Sequence, residues 1–448
     1  MTKIPRTPPP LDELLEHTGL ASKLARLLET SPLPDGDYYH WDQLRHRSPP
    51  ADLTHEEWWT GVKLSRTQQL KPISLEDKEG RPFQYWSPDP VLRLLHEVDK
   101  EASGRIQIAE EVTNPSTRDR YIINSLIEES ITSSQLEGAA TTTDVAKDMI
   151  RSGRRPSDKS ERMILNNYHA MRFVRENVGN PLTPAMLFTL HSIVTDRTLD
   201  DPSKAGTIRA PDDQIVIEDG YGNLLHVPPP PSELDERIDL MCRFANERPD
   251  DTFVHPVIRA IILHFWVGYD HPFVDGNGRA ARALFYWSML SQGYWLTEYI
   301  SISRILKKAP GQYSRPFLYT ETDANDLTYF LLYQLRVIRR AIDELQAYLA
   351  RKIAEVREVD ALLRQSSDLN YRQLALLSHA LKHPGHRYTI QSHQTSHGVA
   401  YQTARTDLLD LVDRGLLIQR KRGRTYVFSA PAKLGEILQE PEPLAGSS

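Results

Sequence analysis

Two apolar runs in the middle of the chain are joined by a turn with little structural freedom. Ala260–Tyr269 is the longest apolar stretch of the 448 residues, and His264 lies within it. Asp275-Gly276-Asn277-Gly278 follows, a strong turn signal. Ala280, Ala281, Ala283, Leu284 and Phe285 then resume the apolar pattern at once. This predicts helices around Pro256–Tyr269 and Gly276–Leu290, with a loop that opens the second. Backbone N–H groups at a helix start have no intrahelical partner and attract anions. The two glycines let such an anion come close to the backbone.

The residues around that turn fit phosphate chemistry. Arg279 and Arg282, spaced i,i+3, share a helix face, and guanidinium groups suit bidentate phosphate binding. Asp275 offers one hard oxygen ligand, as suits Mg²⁺ shared between a carboxylate and phosphates. His271 titrates near neutrality, as a general base should. The competing reading is a glycine-rich helix cap with two surface arginines and a core histidine. The concentration of six such residues between positions 271 and 282 weighs against it.

Composition bounds the rest. Forty per cent of residues are hydrophobic, 25% are charged, and the net charge is −6, an ordinary globular balance. A single cysteine, Cys242, excludes a disulfide framework and a cysteine-based zinc site. No apolar run approaches the roughly 20 residues needed to cross a bilayer. The start, MTKIPRTPPP, lacks the apolar segment of a signal peptide. A cytoplasmic protein without membrane contact, of about three domains, is therefore expected.

The expected organisation has an N-terminal region over 1–114, a mainly helical catalytic domain over 115–352, a small domain over 360–430 and a tail over 431–448. In the first region Leu14, Leu15, Leu20, Leu24, Leu27 and Leu28 fit one helical face. Residues 73–86 read as a hairpin around Asp77-Lys78-Glu79-Gly80. Trp41, Trp58, Trp59 and Trp86 are read as a compact core built from large side chains. In the second region, helices are expected over Asp119–Glu137, Lys159–Asn177, Pro184–Thr195 and Asp326–Val359. One break occurs there: Gln214–Glu218 and Leu224–Val227 read as two short strands around a glycine-rich turn. Pro228–Pro231 ends it.

The string His271-Pro-Phe-Val-Asp275-Gly-Asn-Gly-Arg279-Ala-Ala-Arg282 resembles the signature of the Fic family, HxFx(D/E)GNGRxxR, at every specified position. Gly206-Thr-Ile-Arg209, with the strand pair, resembles that family's flap. Ile302-Ser-Arg-Ile, Tyr313 and Asp326-Leu-Thr328 resemble the stretch behind the motif. The resemblance spans roughly residues 115–350. It implies a helical core and transfer of AMP from ATP to a hydroxyl of a target protein. On matching positions His271 would deprotonate that hydroxyl and Asp275 would hold Mg²⁺. Gly276, Asn277 and Gly278 would form the anion hole, with Arg279 on the β-phosphate and Arg282 on the γ-phosphate. Phe273 would anchor the loop. The target would add a strand along the flap at Ile215, Val216 and Ile217. Relatives of the Doc type, which are kinases, replace the second glycine of GNG by lysine; Gly278 is intact here.

Ser133-Ser-Gln-Leu-Glu137-Gly138 is on local grounds a helix end with a glycine cap. It also resembles the family's inhibitory motif, (S/T)xxxE(G/N). That implies Glu137 pairing with Arg282, which would keep ATP from binding productively. In some relatives the same glutamate positions the water that removes AMP, so a deAMPylase is an alternative expectation.

Residues 370–428 resemble a winged helix-turn-helix. Seven Lys/Arg against three Asp/Glu between Arg387 and Phe428 give +4 within a chain of −6. Tyr401, Gln402, Thr403, Arg405 and Thr406 would face a DNA groove, and Arg420–Arg424 would form a basic wing. A DNA-binding regulator that modifies itself is thus another alternative; the competing use of such a fold is homodimerisation or target docking.

Overall fold

The computed structural model describes residues 4–17, 20–102, 115–219, 221–247, 253–364, 369–383, 385–422 and 425–439. The chain is mainly helical, with three small antiparallel sheets among the described residues. Its contacts divide it into two units, residues 1–345 and 346–448. The boundary falls inside one long helix rather than in a linker, and the N-terminal region belongs to the first unit. No described helix is long and apolar enough to cross a membrane.

The first unit opens with α1 (Leu11–His17), α2 (Leu20–Leu28), α3 (Trp41–Leu44) and α4 (His55–Thr67). Helix α4 starts at a capping box in which Thr54 and Glu57 satisfy each other's backbone donors. Trp41, Trp58 and Trp59 are buried in one cluster with Leu14, Leu27, Leu44 and Val62. The expected leucine face is narrower than read: Leu15 and Leu28 are exposed. Neighbours in a helix point about 100° apart, so Leu14 and Leu15, or Leu27 and Leu28, do not share one narrow face. The side chains of Leu20 and Leu24 lie outside the described residues.

The hairpin β1 (Lys71–Glu76) and β2 (Pro82–Tyr85) precedes α5 (Asp89–Ala102). It docks on the segment before the long helix: Gln84 N–H donates to Asn325 O at 3.1 Å and Leu327 N–H to Gln84 O at 2.8 Å. A buried polar network makes the attachment firm. Lys63 pairs with Asp323 at 2.7 Å, Tyr38 donates to Asp326 at 2.6 Å, and Arg66 donates to Tyr39 O and Tyr329 Oη.

The helical core follows. Its helices are α6 (Pro115–Leu136), α7 (Thr143–Ser152), α8 (Lys159–Glu176) and α9 (Pro184–Thr195). A two-stranded flap, β3 (Ile217–Glu218) and β4 (Leu224–His226), separates them from α10 (Leu234–Asn246), α11 (Pro256–Asp270) and α12 (Asn277–Ser291). Then come α13 (Ile302–Lys307), α14 (Pro310–Thr322) and α15 (Thr328–Arg364). Residues 257–267 of α11 are buried without a break, so this helix is central rather than amphipathic. It packs along α12, while Phe265 meets Phe83, Phe317 and Phe330 and Trp266 meets Phe244, each burial worth about 2–3 kcal/mol.

The flap is shorter than its sequence pattern. Asp213 draws the chain into a turn, accepting from Ala210 N and pairing with Lys204, while Ile215 N–H donates to Asp213 O at 2.9 Å. Ile215 and Val216 therefore precede the strand, and only Ile217 of the three expected docking residues lies in it.

The second unit contains α16 (Tyr371–Lys382), β5 (Arg387–Tyr388), α17 (Ile390–His397) and α18 (Tyr401–Asp413). Strands β6 (Ile418–Arg422) and β7 (Thr425–Ser429) and the helix α19 (Leu434–Gln439) complete it, and the sheet order is β5-β7-β6. Buried Asp407 ties α18 to Arg372, Asn370 and His393. Strand β6 starts later than expected because Leu416 and Leu417 turn inward, both N–H groups donating to Leu411 O. Arg420 and Lys421 consequently lie in the strand. Gly423 and Arg424 lie outside the described residues.

Candidate active site

Helix α11 ends at His271, whose φ of 44° is in the left-handed region. That conformation is uncommon for a residue with a side chain, and neighbouring contacts hold it. Arg209 donates from Nε to His271 O at 2.9 Å and from its backbone N–H to Pro272 O at 2.9 Å. Its guanidinium also reaches Pro229 O, so one buried arginine joins both ends of the flap region to the catalytic loop. The His271 Nδ1 faces Gly268 O at 3.4 Å; a carbonyl only accepts, so the proton sits on Nδ1 and Nε2 keeps its lone pair. Burial pushes the His271 ring down to about 4, which leaves it neutral at neutral pH.

The turn after His271 is braced internally. Phe273 is fully buried. Asn277 Oδ1 accepts from Phe273 N at 3.0 Å, and its Nδ2 donates to Phe273 O at 2.8 Å. The Asn277 side chain is thus a clamp on the loop. Gly276, at φ 84°, begins helix α12, and Gly278 lies in its first turn. His191 of α9, which sequence reasoning missed, stacks on Phe273 with ring centroids 3.7 Å apart. Its Nε2 lies 2.8 Å from Asp275 O and its Nδ1 2.9 Å from Gly206 N. A histidine among the apolar residues of α9 carries no signal of this by itself.

Both arginines are buried beneath the turn. Arg279 donates to Val194 O at 2.6 Å, but its Nε and second terminal nitrogen have no hydrogen-bond partner among the described residues. Asp275 approaches the latter at 3.7 Å. Arg282 donates from Nε to Ser133 Oγ at 2.8 Å and from one terminal nitrogen to Glu137 Oε1 at 2.8 Å. Its other terminal nitrogen has no hydrogen-bond partner among the described residues. Burial lowers the Arg279 affinity for its proton, whereas the Glu137 carboxylate helps hold Arg282 charged against the cost of burial. Three buried donor atoms without acceptors beside a helix start form a strongly anion-seeking site.

Helix α6 reaches this site through Ser133 and, just past its last residue, Glu137. A Cβ built on Gly278 would fall 2.1 Å from Glu137 Oε1 and 3.1 Å from the unpartnered Arg282 nitrogen. Glu137 thus lies directly over the glycine turn. The buried Glu129 carboxylate anchors the same helix by accepting from Tyr286 Oη, Ser301 Oγ and Ser303 N.

A cavity of about 240 Å³ runs from Glu137, His271 and Gly278 to the flap and α14, where Ile217, Tyr313 and Phe317 line it. Tyr313 Oη is 2.7 Å from His264 Nε2, so the histidine inside the apolar run positions a cavity wall. His226 of the flap lies 2.7 Å from both Glu321 and Tyr269 O, pinning β4 to α14 and α11. Asp275 is a half-exposed carboxylate without companion ligands, and no cluster of three or more metal-type ligands occurs among the described residues. A single carboxylate fits a Mg²⁺ held jointly with phosphates.

Residues 181–289, which contain this loop, match the model of the Fic/DOC family, and the chain carries a Fic domain there. The protein adenylyltransferase Fic of Nematostella vectensis is 32% identical over 93 residues, 21% of this chain and 20% of that protein. The protein of the same name from Drosophila melanogaster is 29% identical over 133 residues, 29% of this chain and 25% of its own. The chain thus matches a fifth to a quarter of the length of these curated relatives. A Fic family protein from Desulfovibrio desulfuricans G20 is similar in fold, with a TM-score of 0.54 and 18% identity; the match covers 77% of this chain and 97% of that one.

Proposed function

We propose that the Fic domain of this chain is a protein adenylyltransferase held in check by Glu137. The observation that carries the reading is the set of unpartnered, buried nitrogens of Arg279 and Arg282 beside Gly278, with a neutral His271 on the same cavity. A triphosphate laid over the start of α12 meets backbone donors, then Arg279, then Arg282. Asp275 would hold a Mg²⁺ bound to that triphosphate, and the ion would neutralise phosphate charge. His271 Nε2 takes the proton as the target's hydroxyl oxygen bonds to the α-phosphorus. The bond from the α-phosphorus to the bridging oxygen breaks, and pyrophosphate leaves. Positioning and fixed charge supply most of the rate, as in phosphoryl-type transfers. The target segment pairs with the flap beside Ile217 through backbone bonds.

Glu137 supports autoinhibition because it holds one Arg282 nitrogen and covers Gly278. Incubation with ATP labelled at the α-phosphate tests the whole reading. Glu137→Gly is expected to transfer label to protein, wild type weakly, and Glu137→Gly/His271→Ala not at all. No label with Glu137→Gly rejects it. Since Glu137 and His271 line one cavity, the second reading is hydrolytic removal of AMP from a modified protein. Release of AMP from a pre-modified substrate by wild type, lost in Glu137→Gly, favours that role.

For the second unit, DNA binding by a winged helix is the reading favoured by exposed Arg405, Arg420 and Lys421, for which no ion pair occurs among the described residues. A gel shift at low salt, weakened by Arg420→Glu and by added salt, is the expected result. No shift at low salt on varied duplexes rejects it. The cytoplasmic location rests on the sequence reading alone.

A further inference from the structure

We propose that His191 is a positioning residue for nucleotidyl transfer, setting the peptide plane that orients Asp275 and the glycine turn. The inference rests on the adenylyltransferase reading. The imidazole, completely buried, bridges two backbone groups of opposite kind. Gly206 N–H can only donate, so Nδ1 is the unprotonated nitrogen. Asp275 O can only accept, so Nε2 carries the proton. The partners therefore select a single tautomer.

The geometry of a trans peptide transmits this choice. Its C=O and N–H point in opposite directions. With Asp275 O held on the ring, Gly276 N–H points the other way, and it donates to the Asp275 carboxylate at 2.5 Å. His191 thereby orients the carboxylate through the backbone without touching it. The ring is also the floor of the turn: a Cβ on Gly276 would fall 3.4 Å from Nε2 and 2.8 Å from Thr195 Cγ2.

The other nitrogen reaches the flap base. Gly206 has φ 73°, and a Cβ there would fall 2.1 Å from Ser192 Oγ and 2.9 Å from Phe188 O. The segment from Gly206 to Arg209 is therefore pressed against α9. Through His191 it holds Asp275, and through Arg209 it holds His271 and Pro272. One short segment grips both ends of the catalytic loop, and His191 supplies one of the two grips.

The test uses the full chain in the Glu137→Gly background. His191→Phe keeps a ring against Phe273 and removes both hydrogen bonds; His191→Gln keeps a donor and an acceptor. Loss of orientation should lower kcat by roughly 10- to 100-fold for His191→Phe. The Mg²⁺ concentration for half-maximal rate should rise, the KM for ATP should change less, and His191→Gln should recover part of kcat. Phe and Gln variants that are equally impaired, or a Phe variant within twofold of its parent, overturn the proposal. If His191→Phe does not fold, Gly206→Ala reads the same contact and should raise the Mg²⁺ requirement; an unchanged requirement overturns it. The ¹⁵N spectrum of the ring in wild type is independent of turnover and should show protonated Nε2, whereas protonated Nδ1 overturns the proposal. Failure of Glu137→Gly itself to transfer AMP overturns the functional reading, a result distinct from the others.

Discussion

Glu137 and Arg282 are joined at 2.8 Å across the start of helix α12, and the two partners are unequally wet. The arginine side chain is 1% exposed and the glutamate 32%. The cation is therefore committed to its buried position, while the anion can leave for solvent. Removing the glutamate leaves a buried Arg282 donor without its acceptor, which an incoming anion can satisfy. This asymmetry makes Glu137 a brake that an incoming phosphate can replace.

Glu137→Gly should accordingly bind ATP at least about tenfold more tightly than wild type. A charge-assisted hydrogen bond is worth about 1.5–3 kcal/mol, and 1.4 kcal/mol is tenfold in affinity. Calorimetric titration with ATP and Mg²⁺ measures it, and equal affinities would reject the competition.

His271→Ala in the Glu137→Gly background should retain ATP affinity and lose kcat by roughly 10²–10⁴-fold. The ring lines the cavity but makes no bond to Arg279 or Arg282. A parallel loss of ATP binding would place His271 in nucleotide recognition instead of proton transfer.

Arg66→Met should destabilise the first unit by about 2–4 kcal/mol. The guanidinium is fully buried, and the substitution leaves Pro32 O and Tyr39 O without their donor. Urea unfolding followed by tryptophan fluorescence, with Trp59 nearby, reads the change. An effect under 1 kcal/mol would show that the network is not a principal attachment of the N-terminal region.

Glu161→Gln should flatten the acid limb of stability. The Arg154 hydrogen bonds, with Ser157, hold the Glu161 carboxyl down at about 2, below its ordinary 4.5. A carboxyl depressed by folding stabilises the fold above its unfolded value and loses that contribution as pH falls. Wild type should therefore lose stability more steeply than Glu161→Gln between about pH 4.5 and pH 2. Denaturant midpoints across that range decide it, and parallel slopes would refute the assignment.

Much of the helical framework was legible because its signals are local. Pro184–Thr195 is a helix over the span expected, with Thr183 accepting from Met186 N at its start and Pro184 in the first turn. The loop before α12 follows from Asp275-Gly276-Asn277-Gly278, since Gly276 takes the positive φ that the turn needs. Of the four tryptophans expected in one core, Trp41, Trp58 and Trp59 share it, whereas Trp86 is half-buried outside that cluster. The flap pair was legible but not the start of its first strand, because the alternation of Gln214–Glu218 ignores Asp213, whose bonds to Ala210 and Lys204 delay the strand. The attachment of the N-terminal region to the core was not legible either. Arg66, Lys63 and Asp323 look like ordinary surface charges until the fold buries them together.

Local patterning determined where helices begin and end, and which residues of the 271–282 string lie on one loop and one helix face. Capping, turn geometry and a 3.6-residue period act over a few positions, so a linear string carries them. Only the tertiary structure decided that Glu137 overhangs Gly278, that Arg279 and Arg282 keep bare donors in the interior, and that His191 bridges Gly206 and Asp275. Each of those relations joins residues far apart in the chain. Their energies come from burial and desolvation, and burial exists only once distant helices have packed together.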